Sequence, residues 1–330
     1  MAGKFNVILA TEQQGKVKGD LVQISPSDLP KNDVLVDVAY SSLNYKDALA
    51  ISGRSRICRK LPLILGIDLA GTVIESRDSR FKSGDQVLVN GYKMSEIHDG
   101  GYSQIQSVQG DWMVQVPKKF TLHDAMAIGT AGFTAMLCVM ALEDVAMTPN
   151  KGDVLVTGAG GGVGSLAIAL LSKLGYQVTA SSGRAELHDY LISLGAAEII
   201  DRNELEQKPL PLETERWAAA VDTVGGMTLS NILSKLCHFG AVAMCGMVGG
   251  TEFTASVMPM ILRSVKIIGV NSTHTPRERR LEAWNRLSKD LDVEKLRYMT
   301  ETVSMTDIVQ KADKMLAGQV TGRVVVDVNS

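Results

Sequence analysis

At 330 residues the chain is longer than one hydrophobic core usually grows, so two domains are expected, and two domains leave room for a cleft. A 45% hydrophobic and 21% charged composition excludes a disordered chain, and a formal net charge of −2 excludes the overall basic excess that nucleic acid or an anionic membrane surface would require. The expected partner is therefore a small molecule, with no nucleic acid and no membrane.

The N-terminal Met1-Ala2-Gly3-Lys4-Phe5 carries no basic-then-apolar signal pattern, and no apolar run reads as long enough to cross a bilayer, so a cytoplasmic protein is expected. Short strands follow at Lys4 to Thr11, Asp33 to Ser42, Gly66 to Ile74, Asp85 to Asn90 and Tyr102 to Pro117, punctuated by Gly and Pro. Strands so closely spaced, with few long helical patterns, predict a partly closed β-barrel over residues 1–125. The period then changes: Ala125 to Ile128 and Thr134 to Leu142 read as apolar helix around Gly129-Thr130-Ala131-Gly132.

Strand and helix alternate beyond that point. Val154 to Thr157, Gln177 to Ser181, Glu198 to Ile200, Ala219 to Asp222, Val242 to Cys245 and Val265 to Val270 read as six strands, with helices at Ser165 to Leu174, Ala185 to Leu194 and Leu229 to Leu236. Gly175 and Gly195 stand where helix C-termini favour glycine. The pattern is that of a doubly wound parallel sheet, expected over residues 126–299. A charged helix, Arg277 to Asp290, is followed by a helix at Thr306 to Leu316 and a strand at Arg323 to Val328, and the tail of residues 300–330 is expected to rejoin the first domain.

The main chemical signal is Val154-Leu155-Val156-Thr157-Gly158-Ala159-Gly160-Gly161-Gly162-Val163-Gly164, an apolar strand running through five glycines into a helix. Glycine lets the backbone turn tightly and approach a pyrophosphate without a Cβ clash, and the helix N-terminus offers unpaired N–H groups. Gly158, Gly161 and Gly164 lead this assignment, with Gly160, Gly162 and Val163 beside them. An NAD site carries an acidic residue about 20 residues further on. Here Ser181-Ser182-Gly183-Arg184 stands at that place, and hydroxyls with a guanidinium suit a 2′-phosphate, so NADPH is the expected cofactor.

No metal is expected. His98, His123, His188, His238 and His274 show no ligand spacing, and Cys58, Cys138, Cys237 and Cys245 form no Cys-x-x-Cys pair and read as reduced, mostly buried thiols. Asp47 and Asp68 read as acceptors of backbone N–H groups rather than as general bases. Arg54, Arg56, Arg59 and Lys60 form a basic run that could meet the phosphates of a CoA thioester, or simply be a solvated loop.

The chain resembles the medium-chain dehydrogenase/reductase superfamily, in its zinc-independent quinone oxidoreductase branch, and there the acryloyl-CoA reductase family of the YhdH/YhfP type. Ser41 to Ala50, Gly66 to Val73, Gly110-Asp111-Trp112, Gly129 to Ala135, Val221 to Gly226, Met258 to Arg263 and Gly322-Arg323-Val324 carry the resemblance nearly end to end. Zinc-dependent dehydrogenases of similar layout have Cys and Gly-His-Glu where this chain has Asn44-Tyr45-Lys46-Asp47 and Gly66-Ile67-Asp68.

The resemblance implies an α/β fold, a GroES-like barrel plus a Rossmann domain, and NADPH-dependent reduction of acryloyl-CoA to propanoyl-CoA. It places Tyr45 near the nicotinamide, as proton donor or mere cofactor contact, and Asn44 as an orienting or capping residue. It also assigns Thr130, Asp222, Gly246 and Arg323 to the cofactor. Quinone or enal reduction, and a non-enzymatic NADPH-binding role in redox sensing or structure, stay open as alternatives. A homodimer joined through the edge strand Val265 to Val270 is expected as well.

Overall fold

The computed structural model describes residues 3–330. The chain forms two compact units, one holding the segments up to Thr130, Thr273–Trp284 and Leu296–Ser330, the other Ala131–Ser272 and Asn285–Lys295.

In the first unit, β1 (Phe5–Gln13) and β2 (Lys16–Ile24) form an antiparallel hairpin. Gln14 and Gly15 both take positive φ, 52° and 77°, as the tight hairpin turn that matches strand twist requires. The sequence reading missed β2, because Lys16-Val17-Lys18-Gly19-Asp20 alternates exposed lysines with half-buried positions, buries only Gly19, and lacks an apolar face strong enough to mark a strand. Next come β3 (Val34–Ser42), α1 (Tyr45–Ser52), β4 (Leu63–Ile64), β5 (Asp68–Ser76), β6 (Gln86–Asn90), β7 (Ile105–Val108) and β8 (Val114–Gln115). The single strand expected over Tyr102 to Pro117 is thus two, parted by a 3-10 turn at Gly110–Trp112.

The helix α2 (Leu122–Asp144) breaks at Gly129, whose φ of 50° and ψ of −156° lie outside helical space. It is apolar and long enough, by composition alone, to cross a membrane, contrary to the expectation that no run is. Most of that stretch is buried inside the protein.

The second unit continues with β9 (Val154–Val156), α3 (Gly162–Lys173), β10 (Val178–Ser182), α4 (His188–Leu194), β11 (Glu198–Asp201), β12 (Trp217–Asp222), α5 (Gly226–Lys235), β13 (Leu236–Met244), α6 (Met258–Leu262) and β14 (Lys266–Gly269). All pairings in its sheet are parallel, in the order β11-β10-β9-β12-β13-β14. Chain order reverses between β9 and β12, which is where an open α/β sheet binds its ligand. Leu155, Ala220 and Val242 from three neighbouring strands pack with Leu229 and Leu233 of α5.

The chain ends with α7 (Arg277–Asp290), α8 (Val293–Tyr298), β15 (Thr300–Ser304), α9 (Ile308–Leu316) and β16 (Arg323–Asp327). β16 pairs antiparallel with β3, Val325 opposite Ser42, and parallel with the polar strand β15, which the sequence reading also missed. Val324 and Val326 are fully buried with Val36, Val38 and Leu69, and Ile308 of α9 closes the same core. Each such side chain contributes about 1.5–3 kcal/mol on burial.

The return to the first unit begins before residue 300. Thr273–Trp284 and Leu296–Met299 belong to it, as do Met126–Thr130. The reason is visible at β6: the buried Arg280 guanidinium donates to Asn90 O at 2.9 Å, and the Trp284 indole donates to Asn90 Oδ1 at 3.2 Å.

Candidate active site

In the second unit β9 runs into the glycine loop and then α3. Gly158 has φ of 57°, and a Cβ there would sit 2.2 Å from Thr223 Oγ1. A Cβ on Gly164 would meet Gly158 O at 2.4 Å and Ala159 Cα at 2.8 Å, so only glycine lets α3 start this close to the strand end. Gly161 N–H donates to Gly158 O at 2.9 Å and closes the turn. The N-cap of α3, Gly161, supplies no side-chain acceptor, which leaves the N–H groups around Gly162 and Val163 for a ligand. A cradle that any Cβ would fill, facing uncapped donors, fits a dinucleotide pyrophosphate.

At the end of β10, Ser181 and Ser182 are buried, and Arg184 N–H donates to Ser182 Oγ at 3.2 Å. The Arg184 guanidinium lies against the loop, Nη2 standing 2.9 Å from where a Cβ of Gly160 would be. A Cβ on Gly183 would meet Arg202 Nε at 2.5 Å. Arg202 thus joins Arg184 around one hydroxyl-and-glycine turn. The sequence reading missed Arg202, though its place just after β11, beside the end of β10 in a parallel sheet, was the available signal.

Asp222, expected to face the cofactor, turns inward. It is fully buried and accepts from Thr157 Oγ1 at 2.6 Å and from Val224 N and Gly225 N at 3.0 Å. Burial raises its pKa and those donors oppose the rise. Its work is to clamp the loop after β12. Gly246 lies against that loop, where a Cβ would sit 1.9 Å from Thr223 O. Beside it opens a cavity of about 430 Å³, lined in part by Gly225, Cys245, Gly246, Met247, Phe253 and Asn271.

In the first unit Asn44 caps α1, its N–H donating to Asp47 Oδ2 at 3.0 Å in a reciprocal capping box. Tyr45 follows as the first helical residue and is 44% exposed, whereas Asn44 is buried. Behind them lies a polar network. Asp68 accepts from Ser42 Oγ at 2.6 Å, Asn44 Nδ2 at 3.0 Å, and Thr130 through both N at 2.9 Å and Oγ1 at 2.5 Å. Asp47 also accepts from Ile67 N at 3.0 Å.

Arg323, expected to touch the cofactor, is 2% exposed and donates to Ala127 O at 2.7 Å and Asn44 Oδ1 at 3.3 Å. Thr130 likewise spends its hydroxyl on Asp68. Gly129 breaks its helix within this network, where a Cβ would crowd Ser42 Oγ, Arg323 Nη2 and Asp68 Oδ2 at 2.7–2.9 Å.

Two carboxylates and one guanidinium share this interior, leaving one excess negative charge. Desolvation, then the charge of Asp68, raises Asp47 to about 7 against the donors on Asn44 and Ile67. Burial likewise pushes the Tyr102 hydroxyl well up, with the carboxylates adding to it, and that hydroxyl donates to Ser42 O at 3.0 Å. Tyr102, too, was missed from sequence, being distant along the chain from the Asn-Tyr motif.

The basic run is exposed but not gathered. Arg54 pairs with Asp313 at 3.6 Å, Arg59 with Glu96 at 3.9 Å, and Arg56 and Lys60 stand on the surface. Glu96 also pairs with Lys46, which ties the run to α1.

Residues 30–118 match the alcohol dehydrogenase GroES-like domain, and residues 162–289 the zinc-binding dehydrogenase family. The chain therefore belongs to the medium-chain dehydrogenase/reductase superfamily. Its residues do not fit the zinc in that second description: among the described residues no three His, Cys, Asp or Glu side chains come together, and the oxygens of Asp47 and Asp68 are taken by hydrogen bonds.

Acrylyl-CoA reductase AcuI of Ruegeria pomeroyi is 47% identical over 329 residues, spanning 99% of this chain and 100% of the relative. The YhdH oxidoreductase of Salmonella enterica, solved in complex with NADP, is 48% identical with a TM-score of 0.96, covering 98% of this chain and 99% of that one. Bacillus subtilis YhfP, solved with NAD bound, is 43% identical with a TM-score of 0.96, covering 99% and 100%. Within the superfamily the chain is a member of the group that holds these acrylyl-CoA reductase and YhdH/YhfP proteins.

Proposed function

We propose that this protein reduces the carbon–carbon double bond of acryloyl-CoA to propanoyl-CoA with NADPH. The observation that supports the cofactor choice is the turn after β10, where Ser182, Arg184 and Arg202 stand together and the strand itself ends in Ser181-Ser182 rather than in an acidic residue. A 47% identity to an acrylyl-CoA reductase over nearly the full length of both chains supports the substrate. YhfP, with NAD bound in its structure, sets the contrast against which this turn is to be tested.

When bound, NADPH supplies the hydride that adds to the β-carbon of the thioester. The loop from Gly158 to Gly164 and the first turn of α3 hold the pyrophosphate, and Arg184, Arg202 and Ser182 hold the 2′-phosphate. Negative charge develops on the thioester oxygen and a proton is needed at the α-carbon. Tyr45 is the exposed donor of its segment, while Asn44, Thr130, Asp68 and Arg323 fix the backbone that presents it. Of the basic run, Arg56 and Lys60, which stand on the surface, are the side chains offered to the phosphates of CoA, while Arg54 and Arg59 would have to leave Asp313 and Glu96 to join them.

A homodimer is part of this proposal. β14 is an edge strand, and Val257, Met258, Ile261 and Leu262 before it and Ile267 within it are exposed apolar side chains. A second copy would cover them, giving twice the monomer mass in light scattering.

The deciding assay follows NADPH oxidation by chelator-treated protein with acryloyl-CoA, crotonoyl-CoA and a simple quinone, and repeats it with NADH. Turnover of acryloyl-CoA with NADPH is expected. Quinone turnover without thioester turnover would move the protein to the quinone reductases, and cofactor binding without any turnover to the non-enzymatic role.

A further inference from the structure

The proposed reaction leaves two thiols unused. Cys138, on α2, is fully buried, and its thiol interacts with that of Cys245. Cys245 directly follows β13, lines the cavity beside Gly246, and is half-buried with Sγ 3.7 Å from Asp222 O. Both are free. The remaining cysteines are placed differently: Cys58 belongs to the first unit, and Cys237 stands at the opposite end of β13, about 25 Å along an extended strand.

We propose that Cys138 and Cys245 are a peroxide-sensitive dithiol that closes into a disulfide and weakens cofactor binding. The inference rests on reading the loops after β12 and β13 as part of the NADPH site. The two sulfurs have unequal exposure. Contact with Cys245 and burial raise the Cys138 thiol and keep it from reagents in solution. Cys245 meets the cavity and is the sulfur that peroxide reaches.

Hydrogen peroxide oxidises Cys245 to the sulfenic acid and is reduced to water. Cys138 then attacks that sulfur, the S–S bond forms and a second water leaves. Two thiols and one peroxide thus give one disulfide and two waters. Closure draws Cys245 towards α2. Gly246 beside it has no slack, since even a Cβ would press on Thr223 O, so the shift is passed to the loop that Asp222 clamps.

The test uses the full-length protein, reduced and desalted, with NADPH affinity measured by titration before peroxide, after it, and after dithiothreitol. Peptide mass spectrometry follows the cross-link. A Cys138–Cys245 linked peptide is expected, with affinity falling at least tenfold and recovering on reduction. Cys138→Ala and Cys138→Ser should each keep the reduced affinity and lose the reversible response, and having two variants guards against one that folds poorly. Absence of the linked peptide, or unchanged affinity when linkage is complete, would overturn the switch alone. A reduced protein that does not bind NADPH would overturn the cofactor reading and the switch with it.

Discussion

Asp47→Asn removes one of the two carboxylates buried behind Tyr45, and the pH dependence of stability measures what that carboxylate costs. Desolvation and the charge of Asp68 raise the group from 3.8 to about 7. The folded protein holds this proton more tightly than the unfolded chain does, so the stability it contributes is complete below pH 3.8 and is lost as pH rises through 7. Integrated from pH 5 to pH 8, the loss is about 2.5 kcal/mol. That corresponds to roughly 5–10 °C in melting temperature for a unit of this size.

Asparagine cannot ionise, but its amide N–H₂ would face donors on Asn44 or Ile67 where the carboxylate now accepts. The variant should therefore be the less stable protein at pH 5, with the gap narrowing steadily towards pH 8. Thermal unfolding of both proteins at several pH values, read as a difference, cancels every other titration. A gap that stays constant with pH would refute the raised pKa assigned to Asp47.

Arg184→Ala removes a charge-assisted contact to the 2′-phosphate, worth about 1.5–3 kcal/mol, and should cut the NADPH over NADH preference in kcat/KM by about 10- to 150-fold; an unchanged ratio would leave the selectivity to Arg202 and Ser182. Gly164→Ala puts a Cβ 2.4 Å from Gly158 O, a backbone atom that cannot give without moving the loop, so overpacking of about 1–3 kcal/mol and a matching loss of NADPH affinity are expected in a titration. Tyr45→Phe should lower kcat on the order of 10²-fold with KM little changed if the phenol donates the proton; an unchanged kcat assigns that proton to solvent.

The parts of the fold legible from sequence are those with local causes. The glycine loop announces itself through its local spacing, Gly164 answering a clash with Gly158 and Gly161 closing the same turn, whereas the clashes at Gly158 and Gly160 are with Thr223, Leu187 and Arg184, far along the chain. Alternation of strand and helix shows because both faces of a parallel sheet are buried, so the strands read at Val154, Ala219 and Val242 stand out as apolar runs. β2 and β15 carry polar, half-exposed residues, and their place is fixed by the strands they pair with, β1 and β16. No local pattern records that.

The candidate site was legible as a set of residues but not as a division of labour. Asn44, Thr130, Asp222 and Arg323 were all named, yet each is turned into the protein, and the bonds that turn them include ones spanning 24 and 279 residues of sequence for Asn44 and 62 for Thr130. Residue type gives a polar side chain its chemistry, but only the fold decides whether ligand or protein receives it. A buried donor or acceptor must be satisfied internally, at a cost of about 1–3 kcal/mol if it is not.

Among the described residues no zinc-binding set comes together, although the superfamily includes zinc enzymes. A metal ligand needs a free lone pair, and the oxygens of Asp68 here accept four hydrogen bonds from Ser42, Asn44 and Thr130. The network therefore supports the site mechanically, by holding the start of α1 and the break at Gly129, rather than electronically. Stabilising charge on a reacting thioester then falls to groups left uncommitted at the surface, and in the Asn44-to-Asp47 segment the side chain that is still exposed beside this filled interior is Tyr45.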